Sequence, residues 1–272
     1  MAYSLTRHIA RAIYFSSYRE AQIAMFTAYF DASGTKRMPA VAVAGFVSTV
    51  TKWDCFEREW SAILRRNNVP LFHMTDFVSS ASGYAGWRGQ TERRRAFVDD
   101  LVACIKKNTN KGFSGSLAMK DYDYVNARYE LSENLGTPFV LCASLCLGAL
   151  RKWAERKQTD PTKILVIIED GDDDKGRFMA VAKRDGVRVI ALAKEDTMAF
   201  QAADFVAWKN RTAVQNAHAF TWKDLNKDGQ DILRSLNVID PIVQANQVHD
   251  RDSLSRLCNG MNIPRRRAIM KS

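Results

Sequence analysis

Apolar positions along this chain recur with two periods, and the alternation between them sets out its elements. Residues 25–30, MFTAYF, form an aromatic run that ends in Asp31 and is followed by the turn-forming Ser33-Gly34-Thr35. Small and β-branched residues fill 40–49, AVAVAGFVST, enough for a second strand paired with the first across a short hairpin. Helical spacing takes over in 53–68, where Trp53, Phe56, Trp60 and Ile63-Leu64 recur until Val69-Pro70 stops the run. LFHMTDF, residues 71–77, comes next, and then a Gly-rich loop over 79–89. Arg93-Arg94-Arg95 opens a helix with Phe97, Leu101, Val102 and Ile105 on its apolar face, and 112–119 reads as a strand. Residues 121–136 are polar and aromatic without a clear period. Thr137-Pro138 then pairs a cap with Pro at the first helical position. The helix that follows, FVLCASLCLGALRKWAERK, is apolar nearly all round at its start and is therefore buried.

In the second half, the Ile/Val/Leu run of 163–168 has the composition of a strand covered on both faces. An acidic turn, a short helix, a second such strand over 187–193 and a helix over 199–211 follow. Strand–helix alternation of this kind predicts an α/β fold. The last part of the chain looks helical and ends in Pro264-Arg265-Arg266-Arg267, a loose basic tail. The expected organisation is an extension over 1–24, one domain over 25–215, and a helical C-terminal extension over 216–272. Arg7, Arg11 and Arg19 are opposed only by Glu20 in the first segment. That pattern fits an amphipathic transit leader, or, as the preferred reading, a surface helix or extended start ahead of Met25.

Composition narrows the class. With 272 residues the chain can bury a sizeable core, and 46% hydrophobic with 26% charged residues is ordinary for a globular protein. No apolar run approaches the roughly 20 residues that span a bilayer. The net charge of +10 favours a polyanionic partner such as nucleic acid, or merely gives solubility, and the acidic site candidates put nucleic acid slightly ahead. The five cysteines, Cys55, Cys104, Cys142, Cys146 and Cys258, are scattered in apolar surroundings without a CxxC pair, as expected of a reduced, cytoplasmic chain. Cys142 and Cys146 lie one helical turn apart, but no His accompanies them, which argues against zinc.

Acids at the ends of apolar elements are the candidates for chemistry. Asp204 stands in the helical run FQAADF with Phe200, Gln201, Ala207 and Trp208 one turn away, none able to neutralise it. A buried carboxylate must find a metal or a distant cation, whereas an exposed one needs neither. Asp31 either caps its own turn or faces a site. Glu169 and Asp170 are adjacent, so on an extended strand only one of them can point to a given face. The nearby Asp172, Asp173 and Asp174 read as solvated turn, and an EF-hand is excluded by the position of Gly176 and the lack of a closing Glu. His73 is either a satisfied core histidine near Asp76 or a group facing the site. Asp31-Ala32-Ser33-Gly34-Thr35 is similar to the nucleophile loop of haloacid-dehalogenase-like phosphatases but lacks its second Asp. There is no Walker loop, GxSxG or HExxH.

Taken in order, the aromatic strand into Asp31-Ala32-Ser33-Gly34, VAVAGFVS, FEREWSAIL, LFHMTDF, a strand ending in Glu169-Asp170-Gly171-Asp172 and FQAADF resemble the bacterial domain-of-unknown-function family DUF3800 over 25–211. The resemblance implies an RNase H-like fold: a mixed sheet, antiparallel meander first and parallel strands after, flanked by helices. It implies catalytic and metal-binding acids at Asp31, Glu169 and Asp204, with Asp170 open as a ligand in place of Glu169 and His73 assisting proton transfer. It further implies a nuclease using two Mg²⁺ or Mn²⁺ ions on a phosphodiester of RNA or DNA. Arg93, Arg94 and Arg95, with the C-terminal arginines, would hold the nucleic-acid backbone. A non-catalytic RNase H-like module that binds nucleic acid or protein, in a defence or mobile-element system, is the alternative. A metal-dependent phosphatase of another fold stands third.

Overall fold

The computed structural model describes residues 26–34, 37–171, 174–218 and 245–266. The expectations for the N-terminal segment 1–24 lie outside them, as do those for 219–244.

The described strands form one six-stranded sheet. They are β1 (Phe26–Ser33), β2 (Ala40–Thr49), β3 (Lys111–Ala118), β4 (Leu165–Glu169), β5 (Arg188–Leu192) and β6 (Ala245–His249), in the spatial order β5-β4-β1-β2-β3-β6. β2 runs antiparallel to both β1 and β3, while β1–β4, β4–β5 and β3–β6 are parallel pairs. The hairpin turns at Gly34, whose φ of 99° lies in the left-handed region that glycine enters without strain. β1 extends past the expected Phe30, so Asp31 lies within the strand, paired opposite Ala44.

Helices cover both faces, as the unbroken apolar strands require. They are α1 (Val50–Arg66), α2 (Met74–Ser79), α3 (Thr91–Asn108), α4 (Met119–Asn126), α5 (Leu131–Leu135), α6 (Pro138–Arg156), α7 (Lys175–Arg184), α8 (Ala199–His218) and α9 (Arg251–Gly260). The chain thus has the mixed α/β architecture expected of it. No described helix is long and apolar enough to cross a membrane.

Period-two alternation sorts the strand residues between the two layers. Tyr29, Leu165 and Ile167 join α1, α3 and α8 in an aromatic core that includes Trp53, Trp60 and Phe72. Ala28, Phe30, Val166 and Ile168 face the other way, onto α6, α7 and α9. Gly115 lets α6 lie close on β3, since a Cβ there would fall 2.7 Å from the Cys142 carbonyl oxygen. Pro138 stands at the start of α6 as expected, although the Thr137 hydroxyl makes no capping bond.

Three segments differ from their sequence pattern. Residues 82–87, within the expected loop, form a 3₁₀ helix that drives Tyr84 and Trp87 into the aromatic core. Residues 121–136 contain most of α4 and all of α5, short helices whose buried apolar residues Tyr122, Val125 and Leu131 are too few to show a period. The C-terminal extension is not wholly helical: 245–249 is a strand paired with β3, and α9 behind it packs on α4. The tail is held as far as Arg266, with Arg265 bridged to Tyr129 and the Arg266 amide donating to the Arg128 carbonyl at 2.9 Å.

Candidate active site

Adjacent strands carry the acids to one end of the sheet. The parallel register pairs Phe30 with Ile168, so the next residue on each strand, Asp31 and Glu169, emerges at the same edge. Both belong to the face that holds Tyr29, Leu165 and Ile167, the face on which α8 lies. Asp170 is one residue out of phase. It turns away and pairs with Lys175, which takes it out of the acid cluster.

α8 supplies the third acid. Residues Phe200 to Trp208 are all at most 4% exposed, because this stretch is enclosed between the sheet and the helices over it. Asp204 is therefore buried and does not lie on an exposed helix edge. Its Oδ2 accepts the Met74 amide at 2.7 Å. One turn earlier, the Gln201 Oε1 accepts both the Trp60 indole N–H at 2.9 Å and the Phe72 amide at 3.0 Å. Two side chains of one helix thus pin residues 72–74 over the site and fix where His73 stands. The His73 ring is half-buried at the rim, its Nδ1 3.6 Å from Asp76 and its Nε2 4.0 Å from Asp204 Oδ1.

Lys194 occupies the focus of these acids, a position that no sequence signal marked. Its Nζ donates to Asp31 Oδ2 at 2.9 Å and stands 3.6 Å from Glu169 Oε2 and 3.7 Å from Asp204 Oδ1. β5 delivers it: Leu192 pairs with Glu169, and the chain then closes a turn in which the Asp196 carboxylate accepts the Ala193 amide at 3.2 Å. Followed by Glu195 and Asp196, this lysine reads in sequence as an ordinary surface-turn residue.

Charge in the cluster is unbalanced. With all three carboxylates ionised, one ammonium leaves a formal surplus of two negative charges. Burial above all, and then the contact with Glu169, raise the Asp31 carboxyl well above the ordinary range; Lys194 opposes this and Asp204 adds to it. Burial alone would loosen the proton of Lys194, but the three carboxylates outweigh it and hold that proton more firmly than water does. Arg211 lies one helical stretch beyond Asp204 and donates from Nε to Ser33 Oγ at 3.0 Å. Burial lowers its pKa, partly offset by the charge of Asp204.

The donor set is chemically right for a hard divalent cation. It consists of carboxylate oxygens, it carries surplus negative charge, and it crowds acids that repel one another unless cations lie between them. As placed, however, the side chains ring an ammonium. Among the described residues no group of three or more His, Cys, Asp or Glu has the arrangement of a ready metal cage. A cation bound at this point would meet Lys194 as well as the acids.

The three arginines expected to line a nucleic-acid surface do not act together. Arg93 and Arg95 are exposed, Arg93 lying over the Trp87 ring at 4.0 Å. Arg94 is 1% exposed and serves the core. Its guanidinium lies over Phe77 and donates to the Phe77 carbonyl at 2.8 Å and Ser80 Oγ at 2.7 Å, closing the end of α2. A buried arginine committed to carbonyls cannot reach a phosphate, so Arg94 is withdrawn from that role.

Compared with known proteins, the chain matches no family model, and no curated protein matches it.

Proposed function

We propose that this protein is a metal-dependent nuclease of the RNase H-like type, hydrolysing phosphodiester bonds of RNA or DNA with Mg²⁺ or Mn²⁺. The observation that carries this reading is the meeting of Asp31, Glu169 and Asp204 around one cation, from elements far apart in the chain. Sheet order and strand directions agree with the same reading, as does the resemblance to DUF3800.

Asp31, Glu169 and Asp204 would hold the ion, which when bound supplies Lewis acidity and a water acidic enough to attack at neutral pH. The chain's own groups do the rest. The Met74 amide and the Gln201 bonds fix Asp204 and the segment beside it. His73, whose Nε2 lies 4.0 Å from Asp204 Oδ1 at the half-open rim of the acids, would take or return a proton at an oxygen of the phosphodiester. Arg93 and Arg95, with the basic surplus of the chain, would hold the backbone without reading bases. The free cysteines, four of them buried, suit a reduced cytoplasmic setting.

One observation favours a second reading. Lys194 already meets all three acids, and a purely structural ion cluster would look the same. A non-catalytic RNase H-like binding module is then the alternative. The test is cleavage of labelled single- and double-stranded RNA and DNA in Mg²⁺, Mn²⁺ or EDTA. Wild type should cut in either ion and fail in EDTA, and Asp31→Asn and Asp204→Asn should lose at least about 100-fold in rate, as expected when a preorganised catalytic group is removed. Equal activity in all three proteins contradicts the nuclease.

A further inference from the structure

Resting on that cation-centre reading, we infer that Lys194 is a resident cation of the site, standing in for one ion of a two-ion centre, so that the protein binds one divalent cation and not two. The ammonium touches every acid of the cluster and makes a direct hydrogen bond to Asp31, whose side chain is wholly buried. Its place is built rather than incidental. β5 pairing sets the backbone two residues before it, and the Asp196-closed turn sets the backbone around it. The side chain is only 17% exposed, so its head group points into the protein with little room in solvent.

The acceptor oxygens are allotted accordingly. Asp31 Oδ1 accepts the Ala32 amide at 2.8 Å and its Oδ2 is taken by Lys194. Asp204 Oδ2 is taken by Met74, which leaves Oδ1 facing the ammonium and His73. An ion lying between Asp31 and Asp204 would need the space that Nζ fills. One ion held by Glu169 and by the second lone pairs of the Asp31 and Asp204 oxygens would not, and a single divalent charge cancels the formal surplus of two that the ionised acids leave. Two divalent ions beside a retained ammonium would instead place five positive charges against three negative ones in a largely buried site, where like charges are weakly screened.

Calorimetric titration of the full chain, stripped with EDTA and then given Mn²⁺, counts the ions directly. The manganese electron-paramagnetic-resonance spectrum reports whether two ions couple. Wild type should take one Mn²⁺ with an uncoupled spectrum. Lys194→Met, which keeps the stem and removes the charge, should take two, with a coupled spectrum. Lys194→Arg, which keeps the charge, should still take one, and this holds as a check if the Met variant does not fold. Two ions in wild type, lost in Asp31→Asn, would overturn the role of Lys194 while leaving the nuclease reading intact. A single ion of unchanged affinity in Lys194→Met would also overturn it. No Mn²⁺ binding by wild type would sink both.

Discussion

Asp31 shows what a single side chain can report. Its carboxyl is held well above the ordinary range by burial first and by Glu169 next. Without a bound cation, the folded protein therefore holds a proton there more firmly than the unfolded chain, whose Asp ionises at about pH 4. A native pKa above the unfolded one means stability that is present at low pH and is lost as pH rises from about 4 through the native value. Lys194 also has a raised pKa, but its contribution disappears only above the ordinary lysine range, so it does not interfere near neutrality. Melting curves in EDTA between pH 4 and 8 should show wild type falling relative to Asp31→Asn as pH rises. Parallel curves for the two proteins would contradict this. At this scale the sequence was only partly legible. Asp31 and Asp204 stood out because apolar neighbours isolate them. Choosing Glu169 over Asp170 needed the knowledge that Leu165 and Ile167 face α8. Lys194 had no signal, because its partners are 163, 25 and 10 residues away and its neighbours are acidic.

Among elements, α8 governs the site. Asp204 and Gln201 lie one turn apart on it, and both accept backbone amides from the 72–74 segment. Gln201→Leu keeps the volume but orphans two buried donors, the Trp60 indole N–H and the Phe72 amide. Each costs about 1–3 kcal/mol when left unpaired. Urea unfolding should show a loss in that range or above it, and the cleavage rate should fall as well, because the segment carrying His73 loosens. A stability change below about 0.5 kcal/mol, the scale of a neutral surface substitution, would show that Gln201 does not anchor the segment. Strands and helices with long periodic runs, such as 40–49, 53–66 and 138–156, were readable from pattern alone. β6 was not: ANQVH carries one large aliphatic residue, and Val248 is 54% exposed, so pairing with β3 rather than burial makes it a strand.

At the scale of the whole molecule, a mixed sheet brings β1, β4 and β5 side by side so that their ends present two acids and a lysine, and α8 crosses over to add a third acid. Strand–helix alternation foretold the α/β class, and the +10 charge gives the expectation of a polyanionic partner without saying how that charge is used. Arg94 is spent on core carbonyls, and Arg266 binds Glu133 and nearby carbonyls, so charge runs in sequence overstate the free basic surface. Nuclease chemistry in this protein depends on the acids at one end of the sheet forming a place for a divalent cation. Crystals of the full chain soaked in Mn²⁺ and measured for anomalous scattering test that most directly. The expected map has one strong peak touching the carboxylates of Asp31 or Glu169, with Lys194 Nζ still in the cluster. A map with no peak there, or with Mn²⁺ only at remote surface carboxylates, would contradict it.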